Sequence, residues 1–77
     1  GKKGVVRDPA VHCQVLEHFL ETIGQIGFRL LALTYSPIQG PEGNIEFLAH
    51  ITKEPGDNTL IPDIPAIVAS AHEAFRR

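Results

Sequence analysis

Residues 36–48 have the sequence SPIQGPEGNIEFL, a turn-rich loop that follows one apolar run and enters a second. Two prolines and two glycines within Ser36–Asn44 predict a structured loop that is longer than a tight hairpin turn. Alternating residues predict that a strand follows over 44–52. One face of this strand would carry Ile45, Phe47, Ala49 and Ile51. The other face would carry Glu46, Leu48 and His50. A carboxylate at Glu46, within an apolar strand, is costly unless another group pairs with it or uses it.

The apolar run before the loop, 28–35, predicts a strand that is covered on both faces, as in an α/β sheet. Two successive strands joined by one loop should pair antiparallel. A two-stranded sheet with two apolar faces is not stable by itself. We therefore expect this chain either to add strands from a second copy or to belong to a larger sheet.

Helix signals flank the two predicted strands. Asp8 followed by Pro9 is typical of a helix start, and apolar residues then recur at helical spacing as far as Ile23. Gly24 or Gly27 would end this helix. After a turn over 53–58, the sequence Asp63-Ile64-Pro65 starts a final helix whose apolar stripe is Ile64, Ile67 or Val68, Ala71 and Phe75. The expected order is helix, strand, strand, helix.

Length and composition exclude several classes of protein. The 77 residues form one small domain at most, and 43% apolar and 21% charged residues are ordinary for a globular protein. A net charge of −2 argues against a strong stand-alone nucleic-acid binder, although Lys2, Lys3 and Arg7 form a local basic group. The single cysteine, Cys13, excludes an intrachain disulfide, and no apolar run reaches the roughly 20 residues of a membrane span.

Glu46 is the strongest candidate for a functional residue, and two interpretations are open. It is either a water-facing edge glutamate or a carboxylate at the rim of a cleft, where it orients a lysine or a substrate hydroxyl. His50 lies on the same predicted face but roughly 13 Å along the strand, too far to act on the same atom. His12 and His18 are six residues apart, a spacing that does not align them on a helix, and we expect no metal site.

Three segments carry a resemblance to a known family: GVVRDPAVH at 4–12, GFRL at 27–30 and SPIQGPEGNIEF at 36–47. In order and spacing they resemble the TlyA family of hemolysin A-type proteins, which are FtsJ-like ribosomal RNA 2′-O-methyltransferases. The resemblance covers about residues 1–52. Residues 53–77 fit only as a variable C-terminal tail with a terminal helix.

The resemblance implies that residues 1–77 are the C-terminal part of a Rossmann-like methyltransferase domain with an antiparallel final strand pair. The family uses a Lys-Asp-Lys-Glu set, of which only the glutamate falls in this chain, at Glu46. The resemblance also implies S-adenosylmethionine as the cofactor of the whole protein, ribosomal RNA as its substrate and a cytoplasmic location. Lys2, Lys3 and Arg7 would border the RNA cleft. This segment alone would bind no cofactor and would be inactive.

A segment cut from such a sheet would have an open strand edge, and open edges recruit partners. We therefore expect the isolated chain to pair with a second copy and to form a sheet of four or more strands. The alternative function is a stand-alone α/β module that acts by dimerisation or partner binding, with Glu46 in water. Membrane lysis, suggested by the family's historical name, has little support from the sequence.

Overall fold

A computed structural model describes residues 7–76 and shows the expected order of helix, strand, strand and helix. The elements are α1 (Pro9–Gln25), β1 (Arg29–Tyr35), a short 3₁₀ turn (Pro41–Gly43), β2 (Phe47–Thr52) and α2 (Ile64–Ala74). β1 and β2 pair antiparallel, as predicted. The small α/β architecture is thereby confirmed for the described residues.

The predicted start of α1 is confirmed, and Gly27 provides its end. The Asp8 side chain caps the helix by accepting a hydrogen bond from the N–H of Ala10. Gly27 has a φ of +92°, which favours glycine, whereas Gly24 lies inside the helix. The N–H of Phe28 donates to the carbonyl of Ile23 at 2.8 Å. The N–H of Gly27 donates to the carbonyl of Gly24, and the two bonds together form a Schellman cap.

β1 contains a bulge that was not predicted. The register shifts between Leu30 and Ala32, so Leu31 is the extra residue. Leu30 and Leu33 are both buried as a result, whereas Leu31 and Ala32 are exposed. The prediction of a strand covered on both faces was wrong for the described residues, because the bulge directs this adjacent pair outward.

β2 is shorter than predicted, since it begins at Phe47 rather than at Asn44. The loop itself uses the backbone groups of Asn44: its N–H donates to the carbonyl of Pro41, and its carbonyl accepts from Gly40. Asn44 therefore cannot join the sheet ladder. Glu46 lies just before the strand, and its carbonyl accepts a hydrogen bond from the N–H of Ser36 at 2.7 Å.

The last third of the chain is part of the core. α2 contributes Val68, which is 1% exposed, and the fully buried Ala71. Between β2 and α2, the chain returns along β1, where the N–H of Leu60 donates to the carbonyl of Leu30. The Arg29 guanidinium holds this returning segment by donating to the carbonyls of Glu54 and Asn58. Residues 53–76 thus complete the packing of α1 against β1.

The edge of β2 that faces away from β1 has no strand partner among residues 7–76. We therefore expect the isolated chain 1–77 to self-associate at this edge. Leu48, on β2, is 52% exposed and adds an apolar side chain to this edge. Light scattering after size exclusion should give a mass of two or more chains at micromolar concentration.

Leu48→Lys should shift this equilibrium towards the monomer, because a charged side chain disfavours edge pairing. Ile61→Lys is the matched control, since Ile61 is 91% exposed and lies outside the sheet. A monomeric mass for the unsubstituted chain over the whole concentration range would contradict the expectation.

Candidate functional site

Residues 36–46, here called the 36–46 loop, join β1 to β2 at one end of the sheet and are held by their own hydrogen bonds. The N–H of Gly40 donates to the carbonyl of Asn44 at 2.7 Å. The Gln39 side-chain amide donates to the carbonyl of Gly43 at 2.9 Å. These bonds cross the loop and stabilise its conformation.

The tip of the loop has two successive residues with positive φ, Glu42 at 62° and Gly43 at 77°. A left-handed conformation at a non-glycine residue costs about 1 kcal/mol or more and needs support from its surroundings. Arg7 provides part of this support, because its Nη2 donates to the Glu42 carbonyl at 2.7 Å. The residue that precedes the Asp8 cap is thereby tied to the loop, across 35 positions of sequence.

Glu46 lies at the end of the loop with its side chain over Gly40. A Cβ placed on Gly40 would be 2.6 Å from Glu46 Oε2 and 3.0 Å from Cδ, closer than real Cβ contacts. Gly40 has a φ of −77°, which any residue can adopt. Positive φ thus explains the glycine at 43 but not the one at 40. A side chain at residue 40 would instead displace the Glu46 carboxylate from the space it occupies.

The structure brings together two histidines from different helices, a contact that was not predicted. Nδ1 of His12, on α1, lies 2.8 Å from Nε2 of His72, on α2. His12 is only 5% exposed, and its ring also makes an edge contact with Phe47 at 5.3 Å between centroids. One imidazole must donate and the other must accept in this bond, so at least one of the two rings is neutral.

Helical spacing could have indicated that both histidines face the core. His12 precedes the buried Leu16 by four residues, and His72 follows the buried Val68 by four, so each histidine shares a helix face with a core residue. His18, by contrast, is exposed. No group of three metal-ligating side chains occurs among the residues that the structure describes.

Next to His72 a cavity of about 300 Å³, here called the polar hollow, opens beside the 36–46 loop. It is lined by Arg7, Gln39, Gly43, Ile45, His72, Phe75 and Arg76. These residues come from the chain before α1, from the loop and from the end of α2. Of the basic residues predicted to border an RNA cleft, Arg7 lies in this hollow, and Lys2 and Lys3 lie outside the described residues.

A second hollow, of about 520 Å³, has a different character. It lies between α1 and the sheet, and all of its lining residues are apolar: Val15, Leu16, Phe19, Leu33, Phe47, Ala49 and Ile51. No polar side chain is available there to orient a substrate. The apolar hollow therefore offers a surface for packing and no group for catalysis.

Comparison with known proteins supports the family resemblance. The chain is 38% identical over 81 aligned positions to "Putative rRNA methyltransferase YqxC" of Bacillus subtilis strain 168, an alignment that covers 99% of this chain and 28% of that protein. It is 41% identical over 49 positions to "Hemolysin A" of Brachyspira hyodysenteriae, covering 64% of this chain and 20% of that protein. The chain is a homologue of these proteins. No protein-family model matches it.

Solved structures give the same result. A putative hemolysin from Streptococcus thermophilus superposes with a TM-score of 0.83 at 38% identity, over 99% of this chain and 30% of that one. A putative hemolysin from Lactococcus lactis superposes with a TM-score of 0.73 at 37% identity, over 91% of this chain and 36% of that one. The predicted resemblance is confirmed, and the chain spans about a third or less of the length of these homologues. Neither helix within residues 7–76 is long and apolar enough to cross a membrane.

We expect His12→Ala to lower the free energy of unfolding by about 2–3 kcal/mol, because it opens a cavity and leaves His72 without this hydrogen bond. Urea unfolding measures the change. His18→Ala on the same helix is the control, and it should change stability by less than about 0.5 kcal/mol, since His18 is exposed. Equal effects of the two substitutions would show that the His12–His72 bond does not stabilise the fold.

Proposed function

We propose that this chain is the C-terminal part of a Rossmann-like domain in a methyltransferase that uses S-adenosylmethionine to methylate a ribose 2′-hydroxyl of ribosomal RNA. The observation that carries the proposal is the Glu46 carboxylate, which lies over Gly40 at the end of the rigid 36–46 loop. One homologue is named as an rRNA methyltransferase, and the reaction is proposed here for the whole protein.

The surfaces of the described residues support a place within a larger domain. The two-stranded sheet has an open edge at β2, and the apolar hollow lies open between α1 and the sheet. Val15, on the rim of that hollow, is 54% exposed. A segment that spans about a third or less of its homologues would have such surfaces where the remainder of the domain packs.

In the proposed reaction Glu46 acts on a lysine supplied by the rest of the protein. That lysine, as the neutral amine, would accept the proton of the 2′-hydroxyl while the methyl group passes from sulfur to the ribose oxygen and S-adenosylhomocysteine leaves. The Glu46 carboxylate would orient the lysine and stabilise the ammonium that forms, a pairing that strengthens once the site is closed to water. The cofactor supplies the methyl group, and no residue of this chain is assigned to hold it. We therefore expect the isolated chain to be inactive.

The proposed substrate approaches at the loop end of the sheet. Arg7 lies there beside Glu42, and a guanidinium is well suited to contact phosphate oxygens. Lys2 and Lys3 precede it in the sequence and are proposed to add to the same contact. A protein that modifies ribosomal RNA would work in the cytoplasm, where ribosomes are found.

The second candidate function is a module that acts by self-association or partner binding. The open edge of β2 is the observation that favours it, and in that case Glu46 would be a solvated side chain. The two candidates differ in one measurable respect: only the methyltransferase requires the carboxylate of Glu46.

In the whole protein that carries this chain, Glu46→Gln should lower kcat for transfer of the labelled methyl group to ribosomal RNA about 100-fold or more. The substitution removes the charge that holds the lysine, and it changes little else because Glu46 is exposed. Glu21→Gln, at an exposed position of α1, is the matched control and should keep full activity. A fully active Glu46→Gln protein would refute the proposed role.

Gly40→Ala changes the position of the Glu46 carboxylate without removing it. The added methyl group would displace Oε2 of Glu46, which can move at little cost because it ends an exposed side chain. We expect kcat to fall at least about tenfold, with KM for RNA and the urea midpoint nearly unchanged. Gly24→Ala is the control, since a Cβ there meets nothing within 4 Å. Unchanged kcat in Gly40→Ala would show that catalysis does not depend on this contact.

A further inference from the structure

The polar hollow combines three kinds of group that bind nucleotides. It has cationic side chains in Arg7 and Arg76, hydrogen-bonding side chains in Gln39 and His72, and an aromatic ring in Phe75. Its volume of about 300 Å³ is at the lower end of the range for small-ligand sites. Three separate parts of the chain supply these residues.

The two arginines differ in how strongly they are engaged. The bond from Arg7 to the Glu42 carbonyl uses one of the five N–H donors of the guanidinium and holds it beside the loop. Arg76 pairs with Glu73 at 3.1 Å, and both side chains are largely exposed. Exposed pairs of this kind contribute little, so a phosphate can replace the Glu73 carboxylate at small cost.

The histidine and the aromatic ring of the hollow are also held in place. Nε2 of His72 is hydrogen-bonded to Nδ1 of the buried His12, and this bond fixes the orientation of the His72 ring. The Phe75 ring lies edge to face with Tyr35, with 6.1 Å between centroids. A preorganised site loses less conformational entropy when it binds a flexible strand.

We propose that the polar hollow binds one nucleotide of the substrate RNA strand next to the site of methylation, an inference that rests on the proposed function. Arg7 and Arg76 contact the phosphate, Gln39 and His72 donate or accept hydrogen bonds, and Phe75 stacks on the base. His12 is a positioning residue for His72. The family resemblance left the final helix without a role. In this proposal the end of the helix and the residues after it supply His72, Phe75 and Arg76 to the RNA contact.

The test measures RNA affinity as a function of salt, in the whole protein and with a fluorescently labelled single-stranded segment of ribosomal RNA as the probe. Binding is measured by anisotropy in the Glu46→Gln background, so no methyl transfer is needed. Each phosphate contact contributes about −0.7 to the slope of log K against log salt for a single strand. Arg76→Gln and Arg7→Gln should each make the slope shallower by about this amount.

Two further variants separate the proposed contacts from general effects of charge. Lys53→Gln removes the same charge near Phe28, at the opposite end of the sheet, and should leave the slope unchanged. Phe75→Leu should weaken binding about tenfold with the slope retained, because it removes stacking and no charge. Its urea unfolding curve shows whether the fold is intact.

The proposal is overturned if the arginine variants keep the wild-type slope, if Lys53→Gln changes it equally, or if a folded Phe75→Leu protein binds RNA normally. These outcomes are independent of the test of Glu46. A fully active Glu46→Gln protein would refute its catalytic role and leave the binding result standing. An inactive Glu46→Gln protein with unchanged slopes in the arginine variants would support catalysis and remove the hollow from the RNA path.

Discussion

The structure at the loop end of the sheet depends on hydrogen bonds that the 36–46 loop makes with itself. The bonds of Asn44 with Gly40 and Pro41 use backbone groups that would otherwise continue the sheet ladder. β2 consequently starts at Phe47, and Glu46 falls at the junction of loop and strand. The same closure exposes the carbonyl of Glu42 to Arg7, which joins the chain before α1 to the loop. The loop therefore fixes the backbone position from which the Glu46 side chain extends.

The second constraint is the packing of α2 against α1. Val68 and Ala71 are buried at this contact, and His72, one position further along α2, reaches His12. Because α2 ends beside the loop, its last turn brings Phe75 and Arg76 to the polar hollow. A helix that stabilises the core therefore also places polar groups at the loop end of the sheet. Moving α2 would disturb both the core and the polar hollow.

Local signals predicted much of the fold, and contacts between distant residues account for what they missed. The order of elements and the caps at Asp8 and Asp63 follow from patterns that span a few residues. The bulge at Leu31, by contrast, depends on the register with β2, and the His12–His72 bond joins residues 60 positions apart. Local spacing can place each histidine on the core-facing side of its helix, but it gives neither the bulge nor the contact between the two rings. The candidate site shows the same division, because a carboxylate at Glu46 was evident from the sequence, whereas the space above Gly40 exists only once the loop has closed.

In the proposed assembly, the exposure of Glu46 determines when the free-energy cost of desolvating its carboxylate arises. Within residues 7–76 the carboxylate remains in water, so no desolvation cost has been incurred. That cost arises when the rest of the domain covers the loop, and it is offset only if the paired lysine arrives in the same step. Gly40 leaves space for the carboxylate beside the loop. An unpaired carboxylate would resist burial, so docking of this segment and completion of the catalytic set would be a single event. A glutamate at this position thus favours the correctly assembled domain over a misdocked one.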